Sequence, residues 1–377
     1  MAGVMQEKSL VKSEDTNADG KKGWSSVDCT RRCISLERLG ACVPDARLKG
    51  AGGLLVHGIR GDSREVRAGD LFFAVEGFRT DGNDFIHDAL RRGAIAVGAE
   101  RVDIAAKYPV PCLIVPDARL ALAFAASAFY GHPSQELGVI GVTGTDGKTT
   151  TASMVHHLLA CSGQLSALLT TVEVRIGRFA KANDTDLTTP EAPTLQAFLA
   201  DGVAAGLKYA VLEVSSHSLA LHRVAGCHFD VGVFTNLSPE HLDFHGDIHQ
   251  YLAAKASLFA TLGDDSSKTT PKAAVINIDD CAALHLREVT NVPVVTYGIE
   301  SNAEVRARNI SHHEDGTRFE VITPSGTVAV HSQLMGRVQR LQLACCYCGR
   351  LETGCSTGCH TLGGRNHGAR AGTHATG

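Results

Sequence analysis

The 377-residue sequence has no apolar run long enough to cross a membrane. Met1 to Gly23 is polar and mixed in charge and has no apolar core, so it is no secretory signal and reads as a disordered tail. Glu7, Glu14, Asp15 and Asp19 argue against a transit peptide. A cytoplasmic protein without membrane insertion is expected. There is no basic excess: 36 Lys and Arg against 40 Asp and Glu give a formal charge of −4, so no nucleic-acid partner is expected. Paired cysteine spacing is missing too. Of 12 cysteines, those from Cys29 to Cys281 are scattered, as in a reduced protein, whereas Cys345, Cys346, Cys348, Cys355 and Cys359 crowd together. Beyond Gly336, Ile and Phe are absent and aliphatic periodicity fades, so residues 337–377 cannot bury a core.

What is present is organised around Val139-Ile-Gly-Val-Thr-Gly-Thr-Asp-Gly-Lys-Thr-Thr-Thr151. Leu137 to Val142 predicts a buried strand. Thr149 to Ala160 predicts a helix with Ala152, Val155, Leu158 and Leu159 on its apolar face. The glycine turn between them predicts a phosphate-binding loop. Its N–H groups and the helix N-terminus would meet phosphate oxygens, Lys148 would reach the terminal phosphates, and Thr149 Oγ would hold Mg²⁺. The strict pattern needs glycine at position 142, where Val142 stands. The competing reading is an ordinary turn before a core helix.

Short strands alternate with helices on both sides of this loop, which predicts an α/β protein. A small N-terminal α/β domain (residues 50–133) would end at the linker Gly131-His-Pro-Ser134. Its strands include Gly69 to Val75, Gly93 to Gly98 and Cys112 to Val115, with a helix from Ala118 to Tyr130. Residues 1–49 stay unassigned or disordered, although the alternation reaches back to about Arg32. A mostly parallel-sheet ATPase domain (residues 134–336) would use Tyr209 to Val214, Val231 to Thr235 and Ala273 to Asn277 as further strands. Ligands bind such sheets beyond the carboxyl ends of the strands, where the phosphate loop, Glu213 and Asn236 fall.

Glu213, ending a strand near a phosphate site, suits Mg²⁺; the alternative is a structural hydrogen-bond network. The histidine-rich loop from Asn236 to Gly246 is polar and dense, but its spacing fits no zinc cage. Spacing alone makes Lys255 a solvent-facing lysine. Thr189 reads as the N-cap of a helix starting at Pro190, or with Thr188 as a contact to a phosphorylated or peptide substrate. Arg223 reads as a surface salt bridge or as an anion clamp.

Seven motifs occur in order: Gly141-Val-Thr-Gly-Thr-Asp-Gly-Lys-Thr-Thr-Thr151, Leu187-Thr-Thr-Pro190, Glu213-Val-Ser-Ser-His217, His222-Arg-Val224, Phe234-Thr-Asn-Leu-Ser238, His241-Leu-Asp-Phe-His-Gly246 and Tyr251-Leu-Ala-Ala-Lys-Ala-Ser-Leu-Phe259. With Asp62-Ser-Arg64 and Gly69-Asp-Leu-Phe-Phe-Ala74, they resemble Mur ligases of the MurE type from about Leu54 to Gly336. The resemblance implies an ATP-dependent ligase of peptidoglycan synthesis. It would add meso-diaminopimelate or L-lysine to UDP-N-acetylmuramoyl-L-alanyl-D-glutamate through an acyl phosphate, as a monomer. Gly144, Thr145, Asp146, Gly147, Lys148, Thr149 and Thr150 would cradle ATP. Thr149 and Glu213 would hold one Mg²⁺, and Glu213, His241 and a carbamylated Lys255 would surround a second. The catalytic set is then Lys148, Glu213, His241 and Lys255. Ser63, Thr188, Thr189, Ser215 and Arg223 would bind the UDP-sugar-peptide.

The sequence departs from this pattern in places. Asp146 stands where many members have Asn, and Glu240 where many have Asp. After Leu334-Met-Gly336 the family continues with Phe-Asn, an alanine-rich helix and a Rossmann-like third domain that binds the amino acid. Here Val338-Gln-Arg-Leu-Gln-Leu-Ala-Cys-Cys-Tyr-Cys-Gly349 follows, which reads as an out-of-frame tail; codons exist that restore the family's continuation one base away. A metal module on these cysteines and His360 is the rival reading of the tail. A truncated, inactive ligase is therefore expected, with a non-catalytic UDP-MurNAc-peptide-binding remnant or a folylpolyglutamate synthetase-like ligase as alternatives.

Overall fold

The computed structural model describes residues 32–332, apart from 78–79, 186 and 265–267, together with the pair 361–362. The readings of residues 1–31 and of the tail from 337 fall outside the described residues, that pair excepted.

The described residues build a five-stranded and a twelve-stranded sheet, with Ile34–Ser35 and Leu55–Val56 pairing as a separate two-stranded antiparallel sheet. The first part holds β1 (Ile34–Ser35), α1 (Leu36–Ala41), β2 (Arg47–Lys49), β3 (Leu55–Val56), β4 (Gly58–Arg60), β5 (Asp70–Phe73), α2 (Ile86–Arg92), β6 (Ala96–Ala99), α3 (Ile104–Lys107), β7 (Cys112–Ile114) and α4 (Ala118–Phe129). β4, β5, β6 and β7 run parallel and β2 closes one edge antiparallel, in the order β2-β7-β6-β5-β4. Successive residues point to opposite faces. Leu71 and Phe73 meet α1 and α4 residues such as Leu36, Leu39 and Leu122, whereas Phe72 and Val97 meet Ile86 and Ala89 of α2.

This corrects one boundary. Residues 34–49, left unassigned from the sequence, form β1, α1 and β2. Leu36 and Leu39 are fully buried, and the Ser35 side chain accepts the Arg38 N–H to cap α1. A six-residue helix and strands of two or three residues show too little periodicity to be read alone.

The second part holds β8 (Gly138–Thr143), α5 (Lys148–Cys161), β9 (Ser166–Leu169), β10 (Glu173–Ile176), β11 (Phe179–Ala182), α6 (Ala192–Ala204), β12 (Tyr209–Glu213), α7 (Ser216–Ala220), β13 (Val231–Phe234), α8 (Leu242–His245), α9 (Ile248–Ala260), β14 (Ala273–Asn277), α10 (Ala283–Val289), β15 (Val294–Gly298), β16 (Val305–His313), β17 (Gly316–Thr323) and β18 (Gly326–Ser332), with Thr361–Leu362 (β19) beside β18. The order is β11-β10-β9-β12-β8-β13-β14-β15-β16-β17-β18-β19. From β9 to β16 neighbours are parallel, and antiparallel hairpins extend both edges. Val139, Leu212 and Ile276 pack against α6, α9 and α10 through residues such as Phe198, Phe259 and Leu286. Ile140, Val142, Val211 and Val233 pack against Val155, Leu158 and Leu159 of α5. Burial on both faces explains the unbroken apolar runs of these strands.

The linker is pinned. Gly131 and His132 take left-handed backbone, with φ of 79° and 54°. The Ser134 hydroxyl accepts the His228 N–H at 3.1 Å, and its carbonyl accepts Lys268 Nζ at 2.8 Å. Lys268 also pairs with Asp230, both side chains being at most 3% exposed. Across the junction, Gly226 lies so close to α4 that a Cβ there would sit 2.6 Å from the Ala123 carbonyl oxygen. Among the described residues no disulfide joins the cysteines, and no helix is long and apolar enough to cross a membrane.

Candidate active site

The phosphate loop links β8, the strand between β12 and β13, to α5. Gly144 has φ 148° and Gly147 φ 80°, backbone that side chains rarely adopt. At Gly144 a Cβ would also strike Thr235 Oγ1, so the loop passes where only hydrogen fits. Gly147 caps α5 without a side-chain bond, which leaves the first-turn N–H groups for a ligand. The loop is braced from the end of β13: Asn236 O accepts the Thr145 N–H at 2.8 Å, Asn236 Oδ1 accepts the Asp146 N–H at 2.9 Å, and Thr235 Oγ1 donates to Asp146 O at 2.7 Å. Thr145 Oγ1 lies 3.2 Å from Tyr251 Oη and accepts the Ser238 N–H at 2.9 Å. Lys148 Nζ is folded back onto Thr145 O at 2.7 Å.

Beside the loop, Glu213 ends β12 and is 2% exposed. Its Oε2 accepts the Thr149 hydroxyl at 2.9 Å and the Thr171 N–H at 2.8 Å. A hydroxyl and a carboxylate side by side are hard oxygen donors, and Mg²⁺ takes few protein ligands and leaves the rest to phosphate and water. The donor set fits that ion. Among the described residues no cluster of three or more His, Cys, Asp or Glu forms a closed metal cage.

Lys255 lies on α9 and is 1% exposed, so the solvent-facing reading is overturned. Its Nζ donates to Gly144 O at 2.7 Å and sits 4.3 Å from the centre of the Tyr251 ring. Burial, with Lys148 adding a like charge, lowers its pKa to about 7. His241 takes left-handed backbone (φ 54°) and stacks edge-on with His217, ring centres 4.7 Å apart. Burial and then His241 lower the pKa of His217.

Thr189 is not an N-cap. α6 begins at Ala192 with Glu191 as its cap residue, because Pro193 rather than Pro190 occupies the first turn. The fully buried Thr189 hydroxyl instead donates to Glu213 O at 2.9 Å and accepts the Ser215 N–H at 3.1 Å. Arg223 pairs with Glu191 at 2.8 Å and donates to Thr189 O at 3.3 Å, which holds its guanidinium against the threonine loop.

An open cavity of about 280 Å³ is lined by Lys148, Thr188, Ser215, Arg223, His241 and Lys255. Leu187, Ser216, His217, Glu240 and Tyr251 complete its wall, and the sequence alone points to a role for none of them. Ser63 does not line the cavity. It is 5% exposed, in the helical turn capped by Asp62 after β4.

Residues 142–346 match the Mur ligase middle domain, and residues 55–130 match the Mur ligase family catalytic domain. The chain belongs to the Mur ligase family. Among its Mur ligase relatives, the UDP-N-acetylmuramoyl-L-alanyl-D-glutamate–2,6-diaminopimelate ligase of Geobacillus thermodenitrificans is 43% identical over 73% of this chain and 55% of its own length. The UDP-N-acetylmuramyl-tripeptide synthetase of Roseiflexus sp. is 44% identical over 74% and 57%. The chain thus spans little more than half the length of these relatives. A solved UDP-N-acetylmuramoyl-L-alanyl-D-glutamate–2,6-diaminopimelate ligase structure superposes with a TM-score of 0.72 at 27% identity, covering 85% of this chain and 64% of that one. The MurF ligase of Thermotoga maritima, solved with ADP, shares the fold at a TM-score of 0.55 and 23% identity, covering 80% and 64%. The Mur ligase motifs with the most local spacing, Gly144 to Thr150 and Glu213 to His217, meet at one cavity rim, because β8 and β12 are adjacent parallel strands.

Proposed function

We propose that this chain carries the nucleotide and UDP-sugar-peptide machinery of a ligase that joins 2,6-diaminopimelate to UDP-N-acetylmuramoyl-L-alanyl-D-glutamate. The amino acid follows the names of its relatives, with L-lysine as the other candidate. One observation carries the reading: Lys148 and the uncapped start of α5 share a cavity with Thr188, Ser215, Arg223, His241 and Lys255.

Residues 34–133 would take the uridine end, with Ser63 among its contacts, and residues 134–336 the ATP. The α5 N–H groups, with Gly144 to Thr150, would hold the ATP phosphates, and Lys148 would exchange its bond to Thr145 O for a phosphate oxygen. The D-glutamyl carboxylate, steered by Arg223, Thr188 and Ser215, would attack the terminal phosphorus, giving an acyl phosphate and ADP; the fully buried Thr189 does not reach the cavity and instead holds Ser215 from behind. The incoming amine would then displace phosphate. Such transfer needs mainly positioning and charge neutralisation. Mg²⁺ held by Thr149 and Glu213, with His241 and Lys255 nearby, would neutralise phosphate charge. With its pKa near 7, Lys255 keeps a neutral amine fraction at neutral pH, which can add to CO₂, release a proton and become a carbamate.

Calorimetry and mass spectrometry test this on the full chain. Mg·ADP and UDP-MurNAc-L-Ala-D-Glu should each bind, and Lys148→Ala should weaken the first by about 10-fold or more. Formation of ADP and UDP-MurNAc-tripeptide with diaminopimelate would establish the whole reaction. Binding without turnover would make the chain a binding module. No heat with either ligand would overturn the proposal.

A further inference from the structure

We infer that Thr171, just beyond β9, is a positioning residue that sets Thr188 as a hydrogen-bond donor toward the substrate and ties it to the Glu213 carboxylate. The inference rests on the UDP-sugar-peptide site proposed above. Thr171 spans two groups of different duty. Its N–H donates to Glu213 Oε2 at 2.8 Å, and its hydroxyl donates to Thr188 Oγ1 at 3.0 Å. A hydroxyl that accepts one bond has its own proton to give. Thr188 lines the cavity, so its proton is directed toward whatever acceptor lies there, and a donor in series is strengthened by the one behind it. That polarity suits a carboxylate or carbonyl oxygen of the dipeptide.

The fold does not need the Thr171 hydroxyl. The turn between β9 and β10 is already locked by its buried neighbour: Thr170 Oγ1 accepts the N–H groups of Val172 and Glu173 and donates to Glu173 O. The loop bearing Thr188 is separately anchored by Asn183 Nδ2, which donates to Thr170 O at 2.8 Å and Leu187 O at 3.3 Å. Thr171 itself is exposed. What its side chain adds to these anchors is the direction of the Thr188 hydroxyl. The Glu213 contact comes from backbone and survives any side-chain change except proline.

Calorimetry on the full chain, with UDP-MurNAc-L-Ala-D-Glu and Mg·ADP as probes, tests this. Thr171→Val, which keeps the shape and the N–H, should weaken the nucleotide sugar about fivefold. It should leave Mg·ADP within about twofold, and Thr171→Ser should restore binding. In a Thr188→Val background, Thr171→Val should add no further loss, which a purely structural role would not produce. Equal binding by wild type and Thr171→Val, failure of Thr171→Ser to rescue, or an equal loss for Mg·ADP would overturn the inference alone. Failure of the wild type to bind the nucleotide sugar would overturn both this inference and the proposed function.

Discussion

Lys255 carries a charge problem that pH can expose. Its folded pKa, about 7, lies below the 10.5 of a free lysine. Between those values the unfolded chain holds the proton and the folded chain does not, so this residue makes stability rise with pH across that window. Lys255→Met should remove the slope. Its melting temperature should exceed that of wild type most at about pH 6.5, and the gap should narrow by about pH 9.5. His156 gives the opposite end of the scale. Burial, then Arg175, lowers its pKa to about 4 from 6.5, so its neutral form supports the fold above that range and stability falls as pH drops through it. His156→Gln should flatten thermal melts between those two values. The placement of Lys148 and Thr149 at the head of a helix behind a glycine turn is legible in the sequence from local spacing. The burial of Lys255 is not, because a lysine four residues after Tyr251 on a helix says nothing of the loop packed above it; only the family resemblance brings it to the site. Thr171 was missed because its two partners come from β12 and from a loop 17 residues away in sequence.

At the scale of elements, β8, its glycine turn and α5 form the unit that sequence reads best, since an apolar run, glycines and an amphipathic helix follow without a break. Gly144 and Gly147 are its weak points to substitution. Gly144→Ala should cost about 1–3 kcal/mol of stability in a denaturant titration, from its φ alone, and should abolish Mg·ADP binding by calorimetry as the Thr235 contact shifts the loop. Ser166-Ala-Leu-Leu169 does not declare itself a strand in the sequence. A run of one serine and three apolar residues close behind a helix fits a last helical turn as well as a buried strand, and only pairing with β12 decides. The hairpin of β10 and β11 was lost with it. The misplaced N-cap at Thr189 has a related cause, since two prolines three residues apart offer two starts, and the pull of Glu213 O and Ser215 N–H on the hydroxyl selects the later one.

For the whole molecule, the α/β class and the mostly parallel second sheet followed from alternating apolar runs. The junction between the sheets did not, because Ser134, Asp230 and Lys268 converge from three distant places. Lys268→Met leaves Asp230 buried without its cation and should cost about 3–5 kcal/mol in chemical unfolding, while adding Asp230→Asn, which removes the charge and can still accept the Val139 N–H, should recover part of that loss. The clamp has a further consequence. Ser134 is held on both its hydroxyl and its carbonyl by the second part of the chain, and α4 of the first part presses against Gly226, so the two parts meet at a packed seam beside an anchored linker. A ligand long enough to reach both parts would therefore meet a seat already anchored at one end, as a vice with one fixed jaw.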